Sequence, residues 1–191
     1  MRSTFLSMLS MIAVLSGRCP AAEAKAEEKS LPISIALAIP AGRQGEKEVD
    51  YSAGPTVIHV VVTNVSDKPL RLWQDWCSWG YGALTFVFGG EDGRTWTGRP
   101  EQLMVFCRNY ADWWNLAPHE SIVMCANLDD AINWAAFPRP VSGSEETVTL
   151  KAVLKYKPDK ESWRHNVWTG SVESKTERVT FTGWDPEKKK K

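Results

Sequence analysis

Hydrophobic and polar residues alternate with a period of two along much of this chain. Thr147–Tyr156 (TVTLKAVLKY) is the clearest case: Val148, Leu150, Ala152, Leu154 and Tyr156 fall on one side of an extended strand. Thr147, Thr149, Lys151 and Lys155 fall on the other, and Val153 alone breaks the pattern. Thr56–Leu72 (TVIHVVVTNVSDKPLRL) repeats the pattern across a turn. Ile58, Val60 and Val62 share one face, and His59, Val61 and Thr63 share the other. Asn64-Val65-Ser66-Asp67-Lys68-Pro69 then stops the strand, and Leu70 and Leu72 open the next.

Further strands are predicted over Leu31–Ile39, Ala83–Phe88, Thr95–Thr97, Gln102–Phe106, Ser121–Asn127, Val167–Glu173 and Glu177–Thr182. Gly89-Gly90-Glu91-Asp92-Gly93 reads as a hairpin turn between two of them. Pro40–Pro55 is polar and Gly-rich and reads as a connection, and Lys160–Asn166 reads as a charged loop. Asn109–Asn115 reads as aromatic loop or a short helical turn, and Asp129–Phe137 as one or two helical turns. Strands with one greasy and one wet face belong to antiparallel sheets, which bury their apolar faces against each other. The expectation is therefore an all-β fold, an antiparallel β-sandwich of eight to nine strands, with an open barrel as the rival.

The first 24 residues read as a signal peptide. Arg2 gives a positive start and Phe5–Leu15 is an apolar stretch too short to cross a bilayer. Ala22-Glu23-Ala24 has the form of a cleavage site, so cleavage is expected after Ala24, with Ala22 as the alternative. Arg18 before Cys19 argues against a lipid anchor, which needs a small residue there. Lys25–Ser30 reads as a linker, 31–184 as the sandwich domain and 185–191 as a solvated lysine-rich tail. The mature chain is expected to be exported, periplasmic or secreted, with no transmembrane segment. The full chain has 23 basic and 23 acidic residues, and loss of Arg2, Arg18 and Glu23 with the leader keeps the balance, which leaves no footprint for nucleic acid.

Four cysteines are present, and Cys19 leaves with the leader. Cys77 and Cys107 both lie in Trp-rich, loop-like sequence and are the expected disulfide; Cys125, ending an apolar strand, is expected to be buried and free. Three unpaired thiols is the competing expectation.

Aromatic residues are the densest candidate chemistry. Trp73, Trp76, Trp79 and Tyr81 crowd one segment, and Tyr110, Trp113 and Trp114 crowd another. Such rings stack on sugars or cap a partner's apolar surface when exposed, and plug the ends of a sandwich when buried. These seven are the candidate ligand-binding residues. His119, Met124 and Cys125 are residue types that ligate copper in β-sandwich electron carriers, but the usual loop there places its His after its Cys, so no metal and no cofactor are expected. No serine has a G-x-S-x-G context, and Asp129-Asp130 and Glu145-Glu146 are adjacent pairs that diverge, so no catalytic residue is assigned. Asn64-Val65-Ser66 fits both a glycosylation sequon and a plain turn.

The order NVSDKPLRLW, a strand and GGEDG hairpin leading to Trp96, then LAPHESI entering a strand resembles small bacterial immunoglobulin-like domains. The layout is similar to that of the BsuPI-type proteinase inhibitor family, over Thr56–Asn127. The resemblance implies an immunoglobulin-like sandwich and carries no contact residues over. His119 stands where the family's turn has Gly. The functional expectation is an exported, non-enzymatic sandwich that binds another protein or serves an envelope assembly. The alternatives are a carbohydrate-binding module using the loop tryptophans, and an enzyme drawing on Cys77 or His119.

Overall fold

The computed structural model describes residues 31–42, 45–52, 56–101, 110–128 and 134–183. The expected signal peptide, linker, Gln102–Phe106 strand, Cys107 and tail lie outside the described residues. The fold is mostly β, with sheets stacked in a sandwich-like arrangement.

The first layer is a three-stranded antiparallel sheet of β1 (Ile33–Ala38), β3 (Val57–Asn64) and β8 (Ser121–Asn127), in the order β1-β3-β8. The second has seven strands, six in the order β2-β12-β10-β5-β6-β9 and β11 beside β10. Its members are β2 (Lys47–Asp50), β5 (Leu84–Gly89), β6 (Thr95–Pro100), β9 (Trp134–Ala135), β10 (Glu145–Tyr156), β11 (Gly170–Glu173) and β12 (Glu177–Thr182). A two-stranded ribbon, β4 (Leu70–Trp73) with β7 (Trp113–Leu116), completes the set.

The period-two reading places the core correctly. Ile58, Val60 and Val62 are fully buried, as are Leu150, Ala152 and Leu154. They join Ile33, Ile35, Phe86, Phe88, Val179 and Phe181 in one cluster drawn from both layers. β10 is long enough to hold two partners on one edge. Glu145–Leu150 pair with β12 and Val153–Tyr156 with β11. Between them Ser174 forms a bulge: Ala152 N–H donates to its Oγ at 2.9 Å in place of a carbonyl.

Twelve strand segments are described, more than the eight to nine expected, because several are short. Lys47–Asp50, expected as a connection, runs parallel to β12. Trp113–Leu116, expected as loop or helical turn, pairs with β4. Trp134–Ala135, expected as helical, pairs with β6, where Arg99 faces Ala135. Conversely Lys160–His165 is a short helix, α1, rather than a loop. Asp159 caps it, accepting from Ser162 N–H while Ser162 Oγ accepts from Asp159 N–H.

Gly98 on β6 is required by packing. A Cβ there would lie 2.8 Å from the rings of Phe88 and Phe137. Those rings meet edge to face at 5.0 Å above the glycine.

Candidate functional site

The connection from β4 to β5, residues 74–82, is built around a buried thiol. Cys77 is fully buried and free, so the disulfide expected between Cys77 and Cys107 is not formed at Cys77, and its Sγ donates to the carbonyl of Gln74 at 3.1 Å. Gly80 N–H and Tyr81 N–H both donate to the Cys77 carbonyl, at 3.0 and 2.8 Å. The loop thus closes on itself. A Cβ at Gly80 would sit 2.0 Å from the Gln74 carbonyl oxygen, so only glycine fits.

That closure sorts the aromatic candidates into two groups. Trp73 is buried, stacks on Trp79 at 5.5 Å, and meets the edges of Trp113 at 6.0 Å and His165 at 5.8 Å. Arg71 lies 5.1 Å over Trp113 and donates to the His165 carbonyl at 2.8 Å. This stack clamps α1 onto the β4–β7 ribbon. Trp114 is half-buried and packs on the core opposite Leu72. Trp73, Trp79, Trp113 and Trp114 therefore pack inward in the structure. Tyr110 is exposed and stands apart.

Trp76 and Tyr81 point the other way. They wall an open cleft of about 300 Å³. Its floor is Leu84 of β5, Met124 of β8 and Trp134 of β9, all buried, and Pro100 of β6 lies on its edge. Trp76 leaves 48% of its surface exposed, and its Nε1–H donates to Gln74 Oε1 at 2.5 Å, which fixes the ring's orientation. Tyr81 donates to the Glu101 carbonyl. Burial, then the Glu101 charge, pushes the Tyr81 phenol above its ordinary pKa.

Asp75 and Cys125 add polar groups to the cleft beside the Tyr81 phenol. Cys125 was expected to be buried, and it is exposed. Met124 and Ala126 on either side take the inward positions of β8, so alternation turns the thiol outward. His59 lies directly opposite in the β3–β8 register, and its Nδ1 sits 3.1 Å from Cys125 Sγ. Burial first, and then the Asp75 carboxylate, raise the thiol's pKa. The trio of His119, Met124 and Cys125 does not converge: Met124 faces the core, and His119 lies in a turn near Asp67. Among the described residues no three His, Cys, Asp or Glu side chains gather as a metal site.

Trp76 and Tyr81 were legible from the sequence as part of a crowded aromatic segment. Trp134, Pro100 and the His59–Cys125 pair were not, since only the strand register brings them to the loop. No family model matches the chain, and no curated protein matches it in sequence.

Proposed function

We propose that this is a non-enzymatic ligand-binding β-sandwich whose cleft takes a sugar ring of a glycan. The observation that carries this reading is the Trp76 indole, exposed at the cleft and held in place by Gln74. A fixed aromatic face binds the C–H face of a sugar without first losing rotamer freedom. Asp75, exposed beside it, supplies acceptors for sugar hydroxyls, and the apolar floor excludes water. Titrating the protein with a panel of mono- and oligosaccharides while recording tryptophan emission tests the proposal. A saturable shift that weakens in Asp75→Asn supports it; no shift with any glycan sinks it.

A second reading, docking of another protein, is favoured by the outer face of the three-stranded sheet. Its rows are Ser34–Thr63–Ser121, Ala36–Val61–Val123 and Ala38–His59–Cys125, without a lysine, arginine or carboxylate. Val123 is 55% exposed at its centre. Export and an immunoglobulin-like relationship to BsuPI-type inhibitors belong to the same proposal. The leader pattern supports the first. The pairing of the Asn64–Pro69 turn with the Ala117–Glu120 turn supports the second.

A further inference from the structure

The two described thiols differ in chemistry. Cys77 is sealed in the loop, and its sulfur donates to two backbone carbonyls, of Gln74 and Asp112. Cys125 is exposed on the rim of the cleft, with an imidazole nitrogen 3.1 Å from its sulfur. His59 is itself exposed, so a proton received at Nδ1 passes on to solvent.

A thiol attacks only as the thiolate. Among the described residues, the titratable groups around the Cys125 sulfur are His59 from β3 and Asp75 and Tyr81 from the 74–82 loop. The Asp75 charge works against ionisation, and burial does the same. His59 is the group placed to take the proton, in the thiol–base arrangement used to activate sulfur nucleophiles. Beyond the sulfur lies the cleft, with about 300 Å³ walled by Trp76 and Tyr81. An adduct on Cys125 has room there, and it would occupy the space assigned above to the sugar.

We propose that Cys125 is a site of reversible S-thiolation by low-molecular-weight disulfides, with His59 as its proton acceptor, and that the adduct closes the cleft to its ligand. The step is thiol–disulfide exchange. The Cys125 proton moves to His59 Nδ1, and the sulfur attacks one sulfur of the disulfide. The disulfide's S–S bond breaks, a new S–S bond forms to Cys125, and the other half leaves as a thiolate that is protonated by the imidazolium or by water. Cys125 is oxidised to the mixed disulfide and the departing half is reduced to a thiol. Excess thiol reverses the exchange.

The closing of the cleft rests on the ligand reading above; the reactivity of Cys125 does not. The test incubates the full chain with glutathione disulfide across pH and follows each cysteine by peptide mapping. Cys125 is expected to be modified well ahead of Cys77. His59→Gln, an exposed substitution, is expected to slow modification of Cys125 at pH 7 by about tenfold or more. The gap narrows as the solution becomes strongly alkaline, where hydroxide removes the thiol proton without help from His59. A circular dichroism comparison establishes that the variant is folded. Equal rates in His59→Gln at every pH, or absence of an adduct on Cys125, overturn the proposal. The thiolated protein is then titrated with the glycan panel: loss of the emission shift supports closure, and an unchanged titration refutes it. If the unmodified protein binds no glycan while Cys125 keeps its His59-dependent rate, the ligand reading fails and the reactive site stands.

Discussion

The Tyr156 hydroxyl donates to the Trp73 carbonyl at 2.8 Å, joining β10 to β4 across 83 residues. Both side chains are almost fully buried. Burial, followed by the charges of Asp75 and Cys77, holds this phenol protonated well above the pH at which an exposed tyrosine ionises. The bond is therefore a sensor of alkaline unfolding. The unfolded chain releases the Tyr156 proton near pH 10 and the folded chain does not, so stability is intact below that pH and falls as pH rises beyond it. The slope is about 1.4 kcal/mol per pH unit for one proton.

Tyr156→Phe checks this. At pH 8 the variant is expected to be less stable by about 1 to 2 kcal/mol, since the Trp73 carbonyl loses its donor. The wild-type advantage then shrinks between pH 10 and 11, because the variant has no proton to lose. Urea unfolding at several pH values reads both. A gap that stays constant up to pH 11 is incompatible with a buried Tyr156 phenol.

Asn64 predicts a different failure. Its side chain is fully buried, and Nδ2 donates to the carbonyls of Lys68, Leu116 and Ala117 at 2.8, 3.1 and 3.0 Å. Its Oδ1 accepts from Ser66 N–H and Ser66 Oγ. The sequon-like Asn64-Val65-Ser66 is thus a turn that staples two loops, with no amide free for a glycan. Asn64→Ala is expected to cost about 3 kcal/mol in chemical denaturation, because it strands buried acceptors. A loss under about 1 kcal/mol means that water replaces the amide.

His119 carries the reverse prediction. Its φ is 64°, in the left-handed region that glycine enters freely. Its side chain is exposed, and an Asp67 carboxylate oxygen lies 3.9 Å away. Relief of the backbone outweighs so weak an ion pair. His119→Gly is expected to raise stability by about 1 kcal/mol, and His119→Ala to give no gain. A thermal melt that ranks alanine with glycine contradicts the backbone argument.

Strands with one wet face were readable from residues alone, and β3, β10 and β12 fall where alternation places them. The elements that escaped lack that signature. β2 is KEVD, with Val49 its one buried residue, and its pairing with β12 is a tertiary event. β7 is WWNL, half-buried at both tryptophans, so no alternation shows. α1 is too short for a helical period, and its one signal was the Asp159–Ser162 cap. Cys125 was misplaced although alternation with Met124 and Ala126 already implied that it faced out. The His59–Cys125 contact spans 66 residues and depends on the β3–β8 register, which one sequence does not fix.

The last prediction separates the two groups of tryptophans. Trp73 touches Trp79, Trp113 and His165 and is 1% exposed. Trp73→Ala empties a close-packed stack and is expected to cost about 3–5 kcal/mol. Trp76 is 48% exposed, with its cleft-facing surface in contact with solvent. Trp76→Ala is expected to shift stability by no more than about 0.5 kcal/mol while abolishing any glycan-induced emission change. Unfolding curves and ligand titrations on the same two variants make the comparison. Binding that survives in Trp76→Ala removes this ring from recognition. A large stability loss in that variant assigns the ring to the fold, and leaves Tyr81 and the floor residue Trp134 as the cleft's aromatic rings among the described residues.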